Sequence, residues 1–122
     1  MSDAPAHSEI VDAVGWLYNC DSILIECKVS LADYYADRKK PFRRDPAKGI
    51  GRERYFFAPK GLVDPKTLPR RWGLIEWDGK NAKRTIKAKP FNRWARRQEM
   101  FLLVSAMRRV AFNFEEARNG RP

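Results

Sequence analysis

With 122 residues and a net charge of +10, the chain is sized for one domain with a core of its own, and its basicity points to a polyanionic partner. The longest apolar runs fall far short of the roughly 20 residues that span a bilayer, so no membrane association is expected. Two cysteines are too few for a disulfide framework and fit reduced thiols in a cytoplasmic, bacterial or phage-infected, setting.

The charge is unevenly spread. Residues 1–37 hold seven acids and one base, and residues 38–122 hold 24 bases and eight acids. Acids gathered near the start of a basic chain suit a site where carboxylates hold a divalent cation while the surroundings attract phosphate.

Residues 1–8 carry no basic region followed by an apolar run, and they read as a frayed terminus with no signal peptide. Their His7 is the only histidine, which leaves histidine-based metal or nucleophile chemistry nothing to use. Val11–Tyr18 and Ser22–Val29 then read as two strands of a hairpin joined by Asn19, Cys20 and Asp21. The second strand is an isoleucine-rich run interrupted by Glu26 and Lys28, which alternation puts on one face. Buried charges there cost several kcal/mol unless they are paired, bind a metal or do chemistry. A three-residue loop predicts Val14 opposite Glu26 and Asp12 opposite Lys28, so Asp12, Glu26 and Lys28 converge. An even loop without a bulge would send Asp12 to the other face.

Ser30 and Asp33 outline a capping box for a short helix running to Lys39 and stopped by Pro41, with Leu31, Tyr34 and Tyr35 toward the sheet. In this reading Asp33 and Asp37 are cap and helix-surface charges, and Asp21 belongs to the turn. Residues 39–51 mix lysines and arginines with two Pro and two Gly and read as a mobile basic loop. Lys39, Lys40, Arg43, Arg44, Arg52 and Arg54 are the nucleic-acid-binding candidates.

Arg54–Ala58 is a third strand ending at Pro59. Trp72–Trp77 and Lys83–Lys87 flank Asp78-Gly79 as a second hairpin. From Asn92 a long helix runs to about Ala117, and Met100, Leu103, Val104, Met107, Ala111 and Phe114 form an apolar stripe predicted to be core. These elements predict an α/β (α+β) single domain over residues 1–122. It has a mixed, partly antiparallel sheet of about five strands, a short helix after the Glu-x-Lys strand and a long C-terminal helix.

Asp12, a thirteen-residue spacer and Glu26-Cys27-Lys28 match the signature of the PD-(D/E)xK nuclease superfamily, with Val11 where proline is usual. The runs Ser22–Ser30, Ala36–Arg43, Pro59–Leu62 and Trp72–Leu74 also resemble small nuclease-like proteins of phages and bacteria in this superfamily. A more distant similarity is to bacterial DNA-repair endonucleases with a Glu-x-Lys-x-Ser-x-x-Asp-Phe run, Tyr34 replacing the phenylalanine. The resemblance implies a restriction-endonuclease-like core and a metal-dependent deoxyribonuclease. In that scheme Asp12, Glu26 and Lys28 are catalytic, and Asp12, Glu26 and the Cys27 carbonyl hold Mg²⁺ or Mn²⁺, with Glu9 as a candidate extra ligand. Such domains usually place a helix and a strand ahead of the aspartate, and here eleven residues precede it, so a trimmed core or a partner's contribution is expected. Cutting both strands of a duplex requires two sites and would suit a homodimer. Two rival readings are a nuclease-like fold without catalysis that binds DNA or a protein partner, and a basic protein using Tyr55, Phe56 and Phe57 as a stacking platform.

Overall fold

The computed structural model describes residues 11–119, and within them the side chains other than those of 112–117. Five strands, β1 (Ala13–Trp16), β2 (Ser22–Cys27), β3 (Glu53–Pro59), β4 (Gly73–Trp77) and β5 (Ala82–Ile86), form one sheet in the order β1-β2-β3-β4-β5. The outer pairs β1–β2 and β4–β5 are antiparallel, and β2–β3 and β3–β4 are parallel. The helices are α1 (Leu31–Asp37), α2 (Pro41–Arg44) and α3 (Arg96–Arg118). The described residues fall into two compact units, one carrying the sheet with α1 and α2 and the other carrying α3. This is the expected α+β architecture, with a five-stranded mixed sheet and a long C-terminal helix.

The first hairpin differs from the predicted one in a way that preserves its consequence. Trp16 pairs with Ser22 and Ala13 with Ile25, so the loop is the five residues 17–21 instead of three. Leu17 accepts from the Cys20 amide and donates to the Asp21 carbonyl, both at 2.8 Å, and Cys20 takes the left-handed φ of 70° that closes the turn. Adding two residues to the loop slides the register by two and leaves the parity unchanged. Continued by one residue, this register sets Asp12 opposite Glu26, not Lys28.

Alternation along β2 then separates the faces. Leu24 and Glu26 lie on the side that α1 covers, with Phe56 beside Glu26 on β3 and Leu74 beside Phe56 on β4. Tyr34 of α1 meets Phe56 edge-on at 5.0 Å, and Trp72 stacks on Phe56 at 4.4 Å. Leu24, Tyr34, Phe56, Trp72 and Leu74 form the centre of the core. Tyr55 points to the opposite face, where its hydroxyl accepts from the Ala88 amide at 3.2 Å. Because Tyr55 and Phe56 are core side chains, the aromatic stacking platform is excluded for this pair.

The Ser30 hydroxyl caps α1 by accepting from the Asp33 amide at 3.2 Å, as the sequence predicts. The helix buries only Tyr34 and Asp37, while Leu31 and Tyr35 are exposed.

Residues 39–51 are not the expected basic loop. Pro41 occupies the first position of α2, where its missing N–H costs nothing, and Pro46–Lys48 form a 3₁₀ turn. Gly49, Ile50 and Gly51 behind them are buried.

α3 starts four residues later than predicted. The Phe91 amide donates to the Arg52 carbonyl and the Ala95 amide to the Gly49 carbonyl, both at 2.8 Å, so this stretch is tied to the sheet unit as extended chain. The stripe expected to be core is exposed at Met100, Leu103, Val104, Met107 and Ala111, and the Phe114 side chain lies outside those described. Apolar residues fill five successive positions, 100–104, and therefore wrap around the helix instead of selecting one face. Among the described residues no helix is long and apolar enough to cross a membrane.

Candidate functional site

Three segments meet where β2 ends. Asp12 arrives from the residue ahead of β1, Glu26 and Lys28 from the end of β2, and Asp37, Lys40 and Arg43 from α1, α2 and the turn between them. The Asp12 carboxylate is exposed and its Oδ2 accepts from the Cys27 amide at 2.8 Å, which fixes it against the strand next to Glu26. Glu26 is 2% exposed. Its Oε1 is buried and has no hydrogen-bond partner among the described residues, and the closest cation, Arg43 Nη2, stands 3.8 Å away.

Burial, and after it the negative charge of Asp12, raises the Glu26 pKa from 4.5 to about 7, against the opposing pull of Lys40 and Arg43. The Cys27 thiol, on the other face of the strand, is also pushed up, first by burial and then by Asp12 and Glu26. Cys20 and Cys27 are both free and exposed, consistent with thiols that form no framework.

Lys28 does not pair with Glu26. Its Nζ lies 3.3 Å from Asp37 Oδ1, with the side chain 12% exposed. Asp37 also receives Lys40 Nζ at 3.0 Å, and Arg43 grips it in two places, Nε to Oδ2 at 2.7 Å and Nη2 to Oδ1 at 3.2 Å. Burial alone would raise the Asp37 pKa. The hydrogen bond and charge of Arg43, followed by Lys40 and Lys28, outweigh it and hold the carboxyl below the ordinary value. Arg43 in turn lies over the Trp72 ring at 4.6 Å, with its side chain withdrawn from solvent.

The predicted trio is therefore brought to one face, and a second, unforeseen trio of Asp37, Lys40 and Arg43 holds Lys28 in place. Reading Asp37 as a surface charge was incorrect, because the residue is 1% exposed and anchors three cations. The only local signal for it was the three-residue spacing of Asp37 and Lys40, since Arg43 sits on a separate helix beyond Pro41. The basic candidates divide. Lys39 and Arg44 are exposed, and Lys40 is partly so. Arg52 pairs with Asp21 and lies over Trp94 at 5.7 Å. Arg43 and Arg54 are corrected as surface contacts. Arg54 is fully buried, donating to the carbonyls of Gly51 at 2.8 Å, Pro46 at 2.6 Å and Gly49 at 3.2 Å and stacking on Phe91 at 4.2 Å. It closes the 46–51 segment. Glu9 lies outside the described residues, as does the segment 1–8 read as a frayed terminus.

Among the described residues no three His, Cys, Asp or Glu side chains gather as a metal cluster. A cation here would rest on the two carboxylates Asp12 and Glu26, backbone oxygen and water. That donor set fits Mg²⁺, which keeps several waters and is commonly bound through one or two carboxylates. The orphaned Glu26 oxygen is the observation in favour of such a fit.

No protein-family model matches the chain, and no curated protein matches it. Among solved structures, a protein of unknown function from Silicibacter pomeroyi matches with a TM-score of 0.63 at 22% identity, over 96% of this chain and 76% of that one. At that identity the likeness is one of fold, and the two chains share the arrangement of sheet and helices described above.

Proposed function

We propose that the protein is a metal-dependent nuclease that hydrolyses phosphodiester bonds, most naturally of DNA, through Asp12, Glu26 and Lys28. The observation that carries this reading is the Glu26 carboxylate: buried, opposed by Asp12, raised to a pKa of about 7, and with one oxygen that no donor among the described residues claims. Most buried side-chain oxygens in folded proteins have a hydrogen-bond partner. Asp37 supplies the contrast within the same protein, since both its oxygens are fully engaged by cations.

In this reading Asp12 and Glu26, with the Cys27 carbonyl, hold Mg²⁺ or Mn²⁺, which when bound supplies an activated water and neutralises charge on the phosphoryl oxygens. Lys28, steadied by Asp37 at the edge of solvent, orients the attacking water and stabilises charge developing on the phosphate. Arg43 stands between Asp37 and Glu26, holding the first and facing the second at 3.8 Å. A duplex cut on both strands calls for two copies of this site, and so for a homodimer. An alternative reading, a nuclease-like fold that binds nucleic acid or a protein without cleaving, draws on the same ion-pair cluster acting structurally.

The test is incubation of the purified chain with plasmid, single-stranded DNA and RNA, each with Mg²⁺, Mn²⁺ or chelator, beside the Glu26→Gln variant. Cleavage that needs metal and Glu26 is the expected result. Absence of cleavage together with absence of metal-dependent heat in titration calorimetry would favour the binding-module reading.

A further inference from the structure

A second feature of the sheet unit is independent of the carboxylates. A cavity of about 520 Å³ opens beside Trp72 and Phe91, with Arg43 and Arg54 in its wall and Arg70, Arg71 and Arg93 around its mouth. A smaller cavity of about 210 Å³ adjoins it, sharing Arg70, Arg71 and Trp72 and adding Lys87 and Lys89. The two cavities share a wall and are taken together as one groove, and among the described residues Asp45 is the single acid that lines them.

The rim of this groove is held in shape by backbone. Arg71 takes a left-handed φ of 73°, a conformation that a non-glycine residue keeps only where its surroundings enforce it. Its carbonyl accepts from the Lys89 amide at 2.8 Å and its guanidinium donates to the Pro90 carbonyl at 3.0 Å, stitching the two sides of the shared region together. Arg70, Lys87, Lys89 and Arg93 are exposed.

The lining decides the ligand chemistry. Trp72 and Phe91 are 5% and 8% exposed, so they form a floor and offer no face on which a base could stack. What the groove presents is guanidinium and ammonium groups from Arg70, Arg71, Lys87, Lys89 and Arg93, shared between two adjoining cavities. Several cations spread over two cavities suit the repeated phosphates of a polymer. It also adjoins the carboxylate site, because Arg43 lines the groove while reaching Glu26 and Asp37.

We propose that this groove binds the sugar–phosphate backbone of nucleic acid, independently of base sequence, and delivers it to the Asp12–Glu26 site. The substrate class rests on the nuclease reading, but the binding itself requires neither metal nor cleavage.

The experiment measures anisotropy of a labelled short DNA duplex in chelator, across a salt series. One variant carries Arg70→Ala, Lys87→Ala, Lys89→Ala and Arg93→Ala. A charge-matched control carries Lys60→Ala, Lys66→Ala, Lys80→Ala and Lys83→Ala, all exposed and outside the groove. Thermal melts verify that both fold. The groove variant is expected to bind at least about tenfold more weakly, with the slope of log affinity against log salt shallower by about 3–4, while the control changes far less. Equal loss in both variants, or unchanged DNA binding in the groove variant, would overturn the inference. Wild-type cleavage with an unaffected groove variant would remove the groove and leave the nuclease reading standing. Groove-dependent binding without any metal-dependent cleavage would do the reverse.

Discussion

Asp37 and Arg43 form a two-point ion pair, 2.7 and 3.2 Å, with both side chains withdrawn from water. Neither residue belongs to the Asp12, Glu26, Lys28 trio, yet between them they hold Lys28 and border Glu26. The pair costs desolvation to form and costs more to break, since removing one partner strands the other. Asp37→Asn leaves Arg43, Lys28 and Lys40 crowded about a neutral amide and should destabilise the protein by about 3 kcal/mol. Urea denaturation checks this. A loss below about 1 kcal/mol would mean that the cluster relaxes into solvent.

Glu26→Gln should act in the opposite direction on stability and on metal. The amide removes a carboxyl that is held in an unfavourable place, so the metal-free variant should be at least as stable as the wild type at pH 8. The stabilisation that Mg²⁺ or Mn²⁺ confers on the wild type should vanish from it. Thermal melts with and without millimolar metal measure both effects. A variant that is strongly destabilised in chelator would show that Glu26 serves the fold.

The pH dependence of stability follows from the same carboxyl. Between its ordinary value of 4.5 and its native value of about 7, Glu26 binds a proton in the folded state that the unfolded chain has released. Stability therefore falls as pH rises through that window, at up to about 1.4 kcal/mol per pH unit and about 3 kcal/mol in total. Asp37, held below its ordinary value, works the other way, and its contribution is lost as pH falls below about 4. Metal-free denaturation curves should peak between those limits. Glu26→Gln should flatten the neutral limb and leave the acid limb intact.

Two glycines separate steric crowding from backbone conformation. At Gly73 an added Cβ would meet the Tyr55 ring at 2.3 and 2.5 Å and the Ala88 nitrogen at 2.6 Å, inside the sheet. At Gly79 the φ is +100° but nothing lies within 4 Å. Gly73→Ala should cost about 2–3 kcal/mol by overpacking, and Gly79→Ala about 1 kcal/mol from backbone strain alone. Equal costs in chemical denaturation would contradict the close approach of Tyr55 to β4.

Period-two alternation put Glu26 and Lys28 on one face of β2, and the odd loop length kept Asp12 with them even though the loop gained two residues. Ser30 announced the start of α1, and Asp78-Gly79 the second hairpin. These are local matters, governed by the neighbours along the chain and by the pleat, and they are legible in a single sequence. The burial of Asp37, Arg43 and Arg54 is different in kind, because a charged side chain goes inside only when the folded chain brings partners from several segments around it, and residue spacing alone does not say that it will. For Arg54 those partners are three carbonyls of residues 46–51, and for Asp37 they include Lys28 from β2 and Arg43 from α2. Composition read the same stretch as a loop, since Pro and Gly there resemble flexible chain until Arg54 ties their carbonyls. The helix stripe belongs with these: periodicity states which residues share a face, and only the tertiary arrangement states whether that face is covered.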